Sequence, residues 1–470
     1  MNIHMDEHLL QLGHWFEAAG GGLLAVGGLV RNKLLGLPTA DTDVCAPVPV
    51  ERVMAIQTDE YAVVPQPFGL GTVVIIQRLG KAEHTYEYTE FRRDSYGRGG
   101  IHRPREVQFT DDIAVDALRR DFTVNALYAD MRGEVQDPTG RGLKDLQAKT
   151  IRMTHPQTMV EDALRILRMV RFACELGFEI EEDTFAAAKD NAHNLDNISA
   201  ERLRDEFFKI LMADVQYGRT GAVYRGLDLL RQLGAIGRIV PGIAEGEDFA
   251  QSPKYHKYPV MEHLFRTCGA AAPDLRVRLA ALLHDIAKPA SLKQDGNMYD
   301  HPKMGAEAAL AVLQNLRASK ALADDVAQLV ACHMFDLDNS AGRKAVVRMI
   351  TKLGREQFLR LCMLREADFA GSGMGEEPKS ATKWRAVLRE LEEQGAPIER
   401  SKLAINGDDI MRELNIPPGK TVGELLKKAH AHALKKPSQN NYKSLVRYAK
   451  MVYTDMTGES RHPETYRGSN

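Results

Sequence analysis

A chain of 470 residues is too long for one comfortable core, and the usual domain size divides it into about three or four units. With 44% apolar and 27% charged residues it has the composition of an ordinary globular protein, which excludes a fibrous or disordered one. A net charge of −2 excludes the uniformly basic surface of a nonspecific nucleic-acid binder, and no apolar run reaches membrane-spanning length.

The start, Met1-Asn2-Ile3-His4-Met5-Asp6-Glu7, lacks the basic-then-apolar profile of a signal peptide, so a cytoplasmic protein is expected. Cys45, Cys174, Cys268, Cys332 and Cys362 are scattered and form no Cys-x-x-Cys pair, which indicates reduced thiols rather than a disulfide frame or a zinc site. Arginines cluster at Arg92-Arg93, Arg98, Arg103, Arg105 and Arg119-Arg120, then at Arg165, Arg168 and Arg171. Lysines recur at Lys427-Lys428, Lys435-Lys436, Lys443 and Lys450. Such patches neutralise phosphates locally, although each also suits a solvated helix face.

Residues 1–150 mix short β-rich runs, such as 71–76 and 85–89, with Gly and Pro punctuation, and this predicts a small sheet flanked by helices. The apolar stretch Leu23-Leu24-Ala25-Val26 runs into Gly27-Gly28-Leu29-Val30-Arg31, and Asp41-Thr42-Asp43 follows. In an extended segment residues two apart share a face, so the carboxylates of Asp41 and Asp43 can meet at one point. Hard divalent cations take oxygen ligands. The pair therefore suits a two-Mg²⁺ clamp that holds a nucleoside triphosphate and activates an attacking hydroxyl. Gly27 and Gly28, without Cβ atoms, would let backbone N–H groups approach the phosphates, though Asp and Gly also dominate ordinary turns.

Arg119-Arg120-Asp121-Phe122-Thr123-Val124-Asn125-Ala126 packs two cations, a carboxylate, a hydroxyl and an amide into eight positions. Asp137-Pro138-Thr139-Gly140, with Gly142 and Asp145, is a turn that either brings one more carboxylate to a site or caps the next helix. From Met159 onward apolar residues recur at helical spacing, and the remainder is expected to be all helical. There Glu161-Asp162-Ala163-Leu164-Arg165-Ile166-Leu167-Arg168 puts acids and arginines three and four apart on one helical face, the spacing of intrahelical ion pairs. Base chemistry offers a sharper use. Cytosine and adenine both present an amine donor beside a ring-nitrogen acceptor, so Asp162 accepting and Arg165 donating would select C and A over U and G.

Gly27-Gly28-x-x-Arg31, Asp41-x-Asp43, the eight residues from Arg119 to Ala126, and Glu161-Asp162-x-x-Arg165-x-x-Arg168 occur in that order. Together they resemble the motifs of the class II tRNA nucleotidyltransferases, the CCA-adding enzymes, closely over about residues 20–180 and more loosely beyond. The resemblance implies an α+β chain: a polymerase-β-like head with a small sheet over 1–150, then an all-α neck and body over 151–250. It implies that Asp41 and Asp43 are catalytic and bind Mg²⁺. Nucleotide binding would fall to Gly28, Arg31, Arg119, Arg120, Asp121, Asn125 and Arg168, with Asp162 and Arg165 reading the base. The implied activity adds C, C and A to the 3′ end of tRNA from CTP and ATP. Relatives that add only A or only C-C, and poly(A) polymerases, are alternatives within the superfamily. Residues 92–118, present and Gly-rich here, favour A addition. Two departures concern Asn32, where the family usually has an acid, and the third metal-site carboxylate, for which Glu87 fits best and Glu90 next.

A second series is His263, His284-Asp285, His301, His333 and Asp368. Helices that bring imidazoles and carboxylates together make an N/O site suited to a divalent transition metal, whereas any one of these histidines alone suits a buried core position. The set resembles the HD superfamily of metal-dependent phosphohydrolases. That implies a domain over 251–372 in which His263, His284, Asp285 and Asp368 hold Ni²⁺, Co²⁺ or Mn²⁺, His301 and His333 fill further site positions, and 2′,3′-cyclic or other phosphate esters are hydrolysed. A chain acting only in this way, with a tRNA-binding head that does not polymerise, is the reading from another class. Residues 405–411 and 417–423 resemble the nucleotidyltransferase tail, here 373–470, which touches the tRNA elbow; they read equally well as a helix-capping turn and a Pro-Gly turn.

Overall fold

The computed structural model describes residues 1–457 except 19, 40–41, 56, 67–70, 98, 101–103 and 376–377, so Asp41, Arg98 and Arg103 lie outside the described residues. The chain divides into two compact units, one of Met1–Glu247 with Ala311–Lys320, the other of Asp248–Leu310 with the residues from Ala321 onward. Among the described residues no helix is long and apolar enough to cross a membrane. All five cysteines are free and buried.

The first unit holds the sheet. Its strands are β1 (Leu24–Val26), β2 (Asp43–Ala46), β3 (Tyr61–Pro65), β4 (Thr72–Leu79), β5 (Ala82–Glu90), β6 (Arg92–Ser95), β7 (Glu106–Phe109), β8 (Tyr128–Asp130) and β9 (Val135–Gln136). Seven of them form one mixed sheet in the order β3-β4-β5-β2-β1-β8-β9, while β6 and β7 pair as a separate hairpin. Along β4 the side chains of Val73, Ile75 and Gln77 are buried and their neighbours less so, the period-two signature of a half-covered strand. Gln77 tolerates burial because its amide donates to Tyr61 Oη (2.8 Å) and accepts from Tyr86 Oη (2.5 Å). The helix Glu7–Glu17 covers this region, with Trp15 stacked on Tyr61 and Phe16 tilted against Tyr88. The parallel pairing of β2 with β5 sets the register that matters for chemistry: Asp43 stands opposite Glu87.

Three sequence expectations change here. Gly27 has φ +68°, which a side chain would resist, and it turns the chain from β1 into the helix Gly28–Leu35; yet its N–H donates to the Leu127 carbonyl (3.1 Å) and is not offered to a ligand. The single helix expected across Glu161–Arg168 is two, Thr158–Glu161 and Leu164–Leu176, parted at Asp162 in an extended conformation (φ −142°, ψ 103°). The cause is local: Asp162 Oδ1 accepts from Leu164 N (3.0 Å), the competition with the backbone that makes Asp a capping residue. The all-helical expectation after Met159 also fails at Glu179–Ile180, a two-residue strand paired in parallel with Thr150–Ile151.

Among the described residues, the regular elements of the second unit are all helices. Helices Val260–Ala270, Leu275–Leu283 and Arg355–Gly371 pack through buried Leu264, Phe265, Leu279, Leu282 and Leu361. Gly371 permits the closest approach, since a Cβ there would lie 2.2 Å from Thr267 Oγ1. Towards the C-terminus Gly407–Leu414, Lys420–Lys435 and Tyr442–Thr457 enclose their own core around Ile410, Leu425, Ala429, Leu445 and Ala449. Asn406 and Asp409 form a reciprocal capping box, so the capping reading of 405–411 holds.

Candidate functional site

Asp43 opens β2 at the wall of a cavity of about 600 Å³. Gly28, Arg31, Arg119, Arg120, Asp121, Asn125, Asp162, Arg165 and Arg168 line the same cavity, so the motif residues, spread over 140 positions of sequence, converge. Asp41 lies outside the described residues. A second cavity of about 580 Å³ shares Asp43, Arg92, Arg119 and Arg120 with the first and adds Glu87 with Thr72, Thr85 and Thr89. Glu90 turns elsewhere: it is buried, and its Oε2 accepts from Val50 N (3.1 Å). Of the two candidates for a third carboxylate, Glu87 is the one beside Asp43. Asp137 serves the turn, accepting from Leu143 N (3.0 Å) and Thr139 Oγ1 (2.8 Å), which is the capping alternative.

Asp116, not singled out in the sequence, organises the double arginine. Fully buried, it accepts from Arg119 Nε (2.7 Å), Arg120 Nη2 (3.2 Å) and Tyr128 Oη (2.7 Å). The signal was available as an acid three and four residues before Arg119-Arg120. Burial alone would raise the Asp116 pKa, but Arg120 and Arg119 outweigh it and hold it at about 2. A carboxyl whose folded pKa lies below its unfolded one stabilises the protein above the unfolded value, near 4, and loses that contribution as pH falls through about 2. Asp116→Asn should therefore cost roughly 3 kcal/mol in urea unfolding at pH 7, where two guanidinium groups lose their anion. The gap from wild type should narrow as the pH is lowered from 4 towards 2; a gap independent of pH would refute the ion-pair account.

Asp121 plays a comparable part, accepting from Phe122 N (2.8 Å), Asn125 Nδ2 (3.0 Å) and Arg168 (Nε 2.8 Å, Nη2 2.7 Å). Asn125 Oδ1 in turn accepts from Arg31 Nη1 (2.5 Å). The departure at Asn32 leaves Arg31 held all the same: Asn32 Oδ1 accepts from Nε (3.1 Å) and Nη2 (2.9 Å), while Nδ2 donates to the Pro38 carbonyl and Tyr217 Oη. A neutral amide thus does the orienting work of an acid without neutralising the guanidinium. Arg31, Arg168 and Arg171 all lie over the Phe172 ring, at 5.0, 5.2 and 4.2 Å from its centroid. Nine cationic side chains line the cavity against six acidic ones, a surplus suited to a polyanion.

Both uses foreseen for the Glu161–Arg168 segment are compatible with the geometry. Arg165 Nη1 bonds Glu161 Oε2 (3.2 Å) and the Thr158 carbonyl (3.2 Å), and Nη2 bonds the Arg119 carbonyl (2.8 Å) and Tyr96 Oη (3.4 Å), the residue after β6. Asp162, outside both helices, is buried at the same wall, and burial raises its pKa.

In the second unit the second series converges as two buried triads, His263–His284–Asp368 and Asp285–His301–His333, each with ligand atoms within 4.8 Å of one another. The Nε2 atoms face each other in pairs, His263 to His284 at 3.2 Å and His301 to His333 at 3.1 Å. Asp285, a member of the second triad, also faces the first: Oδ2 is 3.3 Å from His284 and Oδ1 3.2 Å from His301. His284, His301 and His333 direct Nδ1 to the carbonyls of Ala281, Met298 and Val330, which leaves the Nε2 lone pairs turned inwards. Asp285 Oδ1, buried, then has no hydrogen-bond donor among the described residues. Lone pairs gathered against a buried carboxylate in this way fit divalent cations. His301 and His333, expected only as further site positions, complete the second triad. Arg365 Nη1 (2.9 Å) holds Asp368 Oδ2, and Lys288 Nζ (2.5 Å) holds Asp285 Oδ2.

Comparison with known proteins identifies the family. A poly(A) polymerase head domain model matches residues 23–152, and a tRNA nucleotidyltransferase domain model matches 299–449. The CCA-adding enzyme of Enterococcus faecalis is 30% identical over 440 residues, covering 92% of this chain and 93% of the relative. The chain belongs to the tRNA nucleotidyltransferase family. The A-adding tRNA nucleotidyltransferase of Deinococcus radiodurans is 29% identical, over 88% of this chain and 92% of that protein. In fold, the chain is similar to the crystal structure of the Bacillus stearothermophilus CCA-adding enzyme in complex with CTP, with a TM-score of 0.68 at 24% identity, over 97% of this chain and all of that one. Family membership carries dependence on a divalent metal.

Proposed function

We propose that the chain adds C, C and A in turn to the 3′ end of tRNA, using CTP and ATP with Mg²⁺, and that it works in the cytoplasm, where these substrates meet. The observation that carries this reading is the gathering of Asp43, the double arginine and the Asp162–Arg165 pair around one cavity. Asp43 with Asp41, and Glu87 opposite, would hold the metal; when bound, Mg²⁺ supplies charge neutralisation at the phosphates and a more acidic attacking hydroxyl. Arg119, Arg120 and Arg168, oriented in advance by Asp116 and Asp121, donate to the triphosphate, so little reorganisation is left for the reaction itself. The tRNA 3′-hydroxyl attacks the α-phosphorus in line, and pyrophosphate leaves. Asp162 accepts from the exocyclic amine of C or A and Arg165 donates to the ring nitrogen; U and G would set donor against donor and acceptor against acceptor.

Incubating tRNA that lacks its 3′ end with CTP, ATP, both, UTP or GTP, and sequencing the termini, tests this. Two C residues from CTP and a complete C-C-A from both support it. A-addition confined to tRNA already ending in C-C would instead identify an A-adding enzyme. Asp162→Ala should raise UTP incorporation relative to CTP by about ten-fold or more, since a pairing-edge contact is worth about 1–3 kcal/mol. A fixed CTP:UTP ratio with only a lower melting temperature would reduce Asp162 to its capping bond.

The double triad carries a second reading for the other unit: hydrolysis of 2′,3′-cyclic or other phosphate esters with Ni²⁺, Co²⁺ or Mn²⁺ held by His263, His284, Asp285 and Asp368. With Asp285 facing both triads, His301 and His333 suit a second ion. Such ions, when bound, supply a polarised phosphoryl oxygen and an acidified water. The lysines of Lys420–Lys435 and Tyr442–Thr457 suit phosphates of the tRNA body.

A further inference from the structure

Among the nine cationic side chains that line the first cavity, Arg202 stands apart. Each of the other eight meets an acceptor within the protein, as Arg171 does at Glu206 (2.7 Å) and Lys209 at the same carboxylate (3.4 Å). The Arg202 guanidinium makes no hydrogen bond or ion pair among the described residues; the backbone N–H alone is bonded, to the Ser199 carbonyl (3.1 Å). Glu206, one turn further along Ala200–Leu211, is already shared by Arg171, Lys209 and, at 4.0 Å, Arg168. The guanidinium is half-buried, and burial disfavours its charge. A partly desolvated cation facing a cavity is costly unless an incoming ligand brings the acceptor.

Its surroundings identify that ligand. The electrostatic neighbours of Arg202 are Glu206 and Tyr96, and Tyr96 Oη accepts from Arg165 Nη2. Arg202 thus belongs to the base-reading end of the cavity. The triphosphate is drawn to the other end, where Gly27 lies against the Asp43 carboxylate and the Arg120 guanidinium. A phosphate beside Arg202 therefore comes from a different strand. For the tRNA 3′-hydroxyl to reach the α-phosphorus, the terminal nucleotide must lie against the incoming base, which brings its backbone to this end. We propose that Arg202 binds a backbone phosphate of the single-stranded 3′ end of the tRNA. This rests on the nucleotidyl-transfer reading above and adds a residue that positions the acceptor strand.

The test measures kcat/KM for tRNA ending in C-C, with saturating ATP, over a series of KCl concentrations in wild type, Arg202→Gln, Arg202→Ala and Arg202→Lys, together with KM for ATP at saturating tRNA. Losing one single-strand phosphate contact should flatten the slope of log(kcat/KM) against log[KCl] by about 0.7 in the Gln and Ala variants. KM for tRNA should rise about ten-fold in both, with KM for ATP within about two-fold of wild type; the Lys variant should keep the wild-type slope. An unchanged slope, or a rise confined to KM for ATP, overturns the assignment. So does a melting curve showing neither neutral variant folded, which would make Arg202 structural. A wild type that adds no nucleotide would instead overturn the transferase reading itself.

Discussion

Asp43→Ala is expected to lose nucleotide addition by about 10³-fold or more, the scale of groups that stabilise charge in a transition state, while tRNA affinity changes by less than about two-fold. The argument is geometric. Asp43 begins β2 in register with Glu87 and lines both head cavities, so its carboxylate stands where a nucleotide on one side and an acceptor on the other would share it. In the proposed site its removal would leave Asp41 and Glu87 without the carboxylate that joins them. Affinity for tRNA draws on many phosphate contacts away from this point, and a partly exposed position at a strand end costs little stability, within about 0.5 kcal/mol. Labelled CTP incorporation and gel retardation separate the two quantities. The neighbouring acids supply the control: Glu87→Ala should share the catalytic defect, whereas Glu90→Ala should lower the melting temperature, because its carboxylate serves the Val50 amide. Near-wild-type incorporation by Asp43→Ala would remove the metal assignment.

How much of this was legible in the sequence varies with the range of the interaction. The β-rich runs of β4 and β5 and the helical spacing after Met159 are properties of consecutive residues, and they pointed to a sheet followed by helices. Asp162 marks a failure of the same reasoning: spacing alone reads Glu161–Arg168 as one helix, but a side-chain bond to Leu164 N ends one and begins another. At Gly27 the small residue was rightly tied to a tight turn, yet only the fold reveals that the Leu127 carbonyl takes its amide. Asp116 had a local signal, an acid three and four residues before Arg119-Arg120, whereas the Asp121–Arg168 pair was hidden for another reason. Its bond crosses between elements 47 residues apart, and no local pattern reports which acid a distant arginine will meet. Asn32 shows the converse: loss of the family's acid reads as loss of support, whereas the amide oxygen still accepts twice from Arg31.

Replacing His284 and Asp285 together by alanine should abolish binding of Ni²⁺, Co²⁺ or Mn²⁺ to the second unit and any hydrolysis of 2′,3′-cyclic nucleotides, while CCA addition with Mg²⁺ continues. Each triad loses a member in this variant, His284 from one and Asp285 from the other, so neither keeps three ligands. Asp285 has the larger effect of the two, since its oxygens face both histidine pairs and Lys288 Nζ rests on Oδ2. Losing only an outer partner of a metal ligand commonly costs about 10–100-fold in metal affinity, so the loss of two ligands should cost more. The head residues belong to the other compact unit, so the two activities should fail separately. Calorimetric metal titration reads the site directly and does not depend on knowing its natural ester. His301→Ala divides the one-ion account from the two-ion account: it should halve the bound metal if each triad holds an ion, and leave the stoichiometry at one if only His263, His284, Asp285 and Asp368 do. Wild-type protein that binds none of these metals would make the double triad a buried histidine cluster and nothing more, and loss of CCA addition in a folded double variant would end the case for two independent centres.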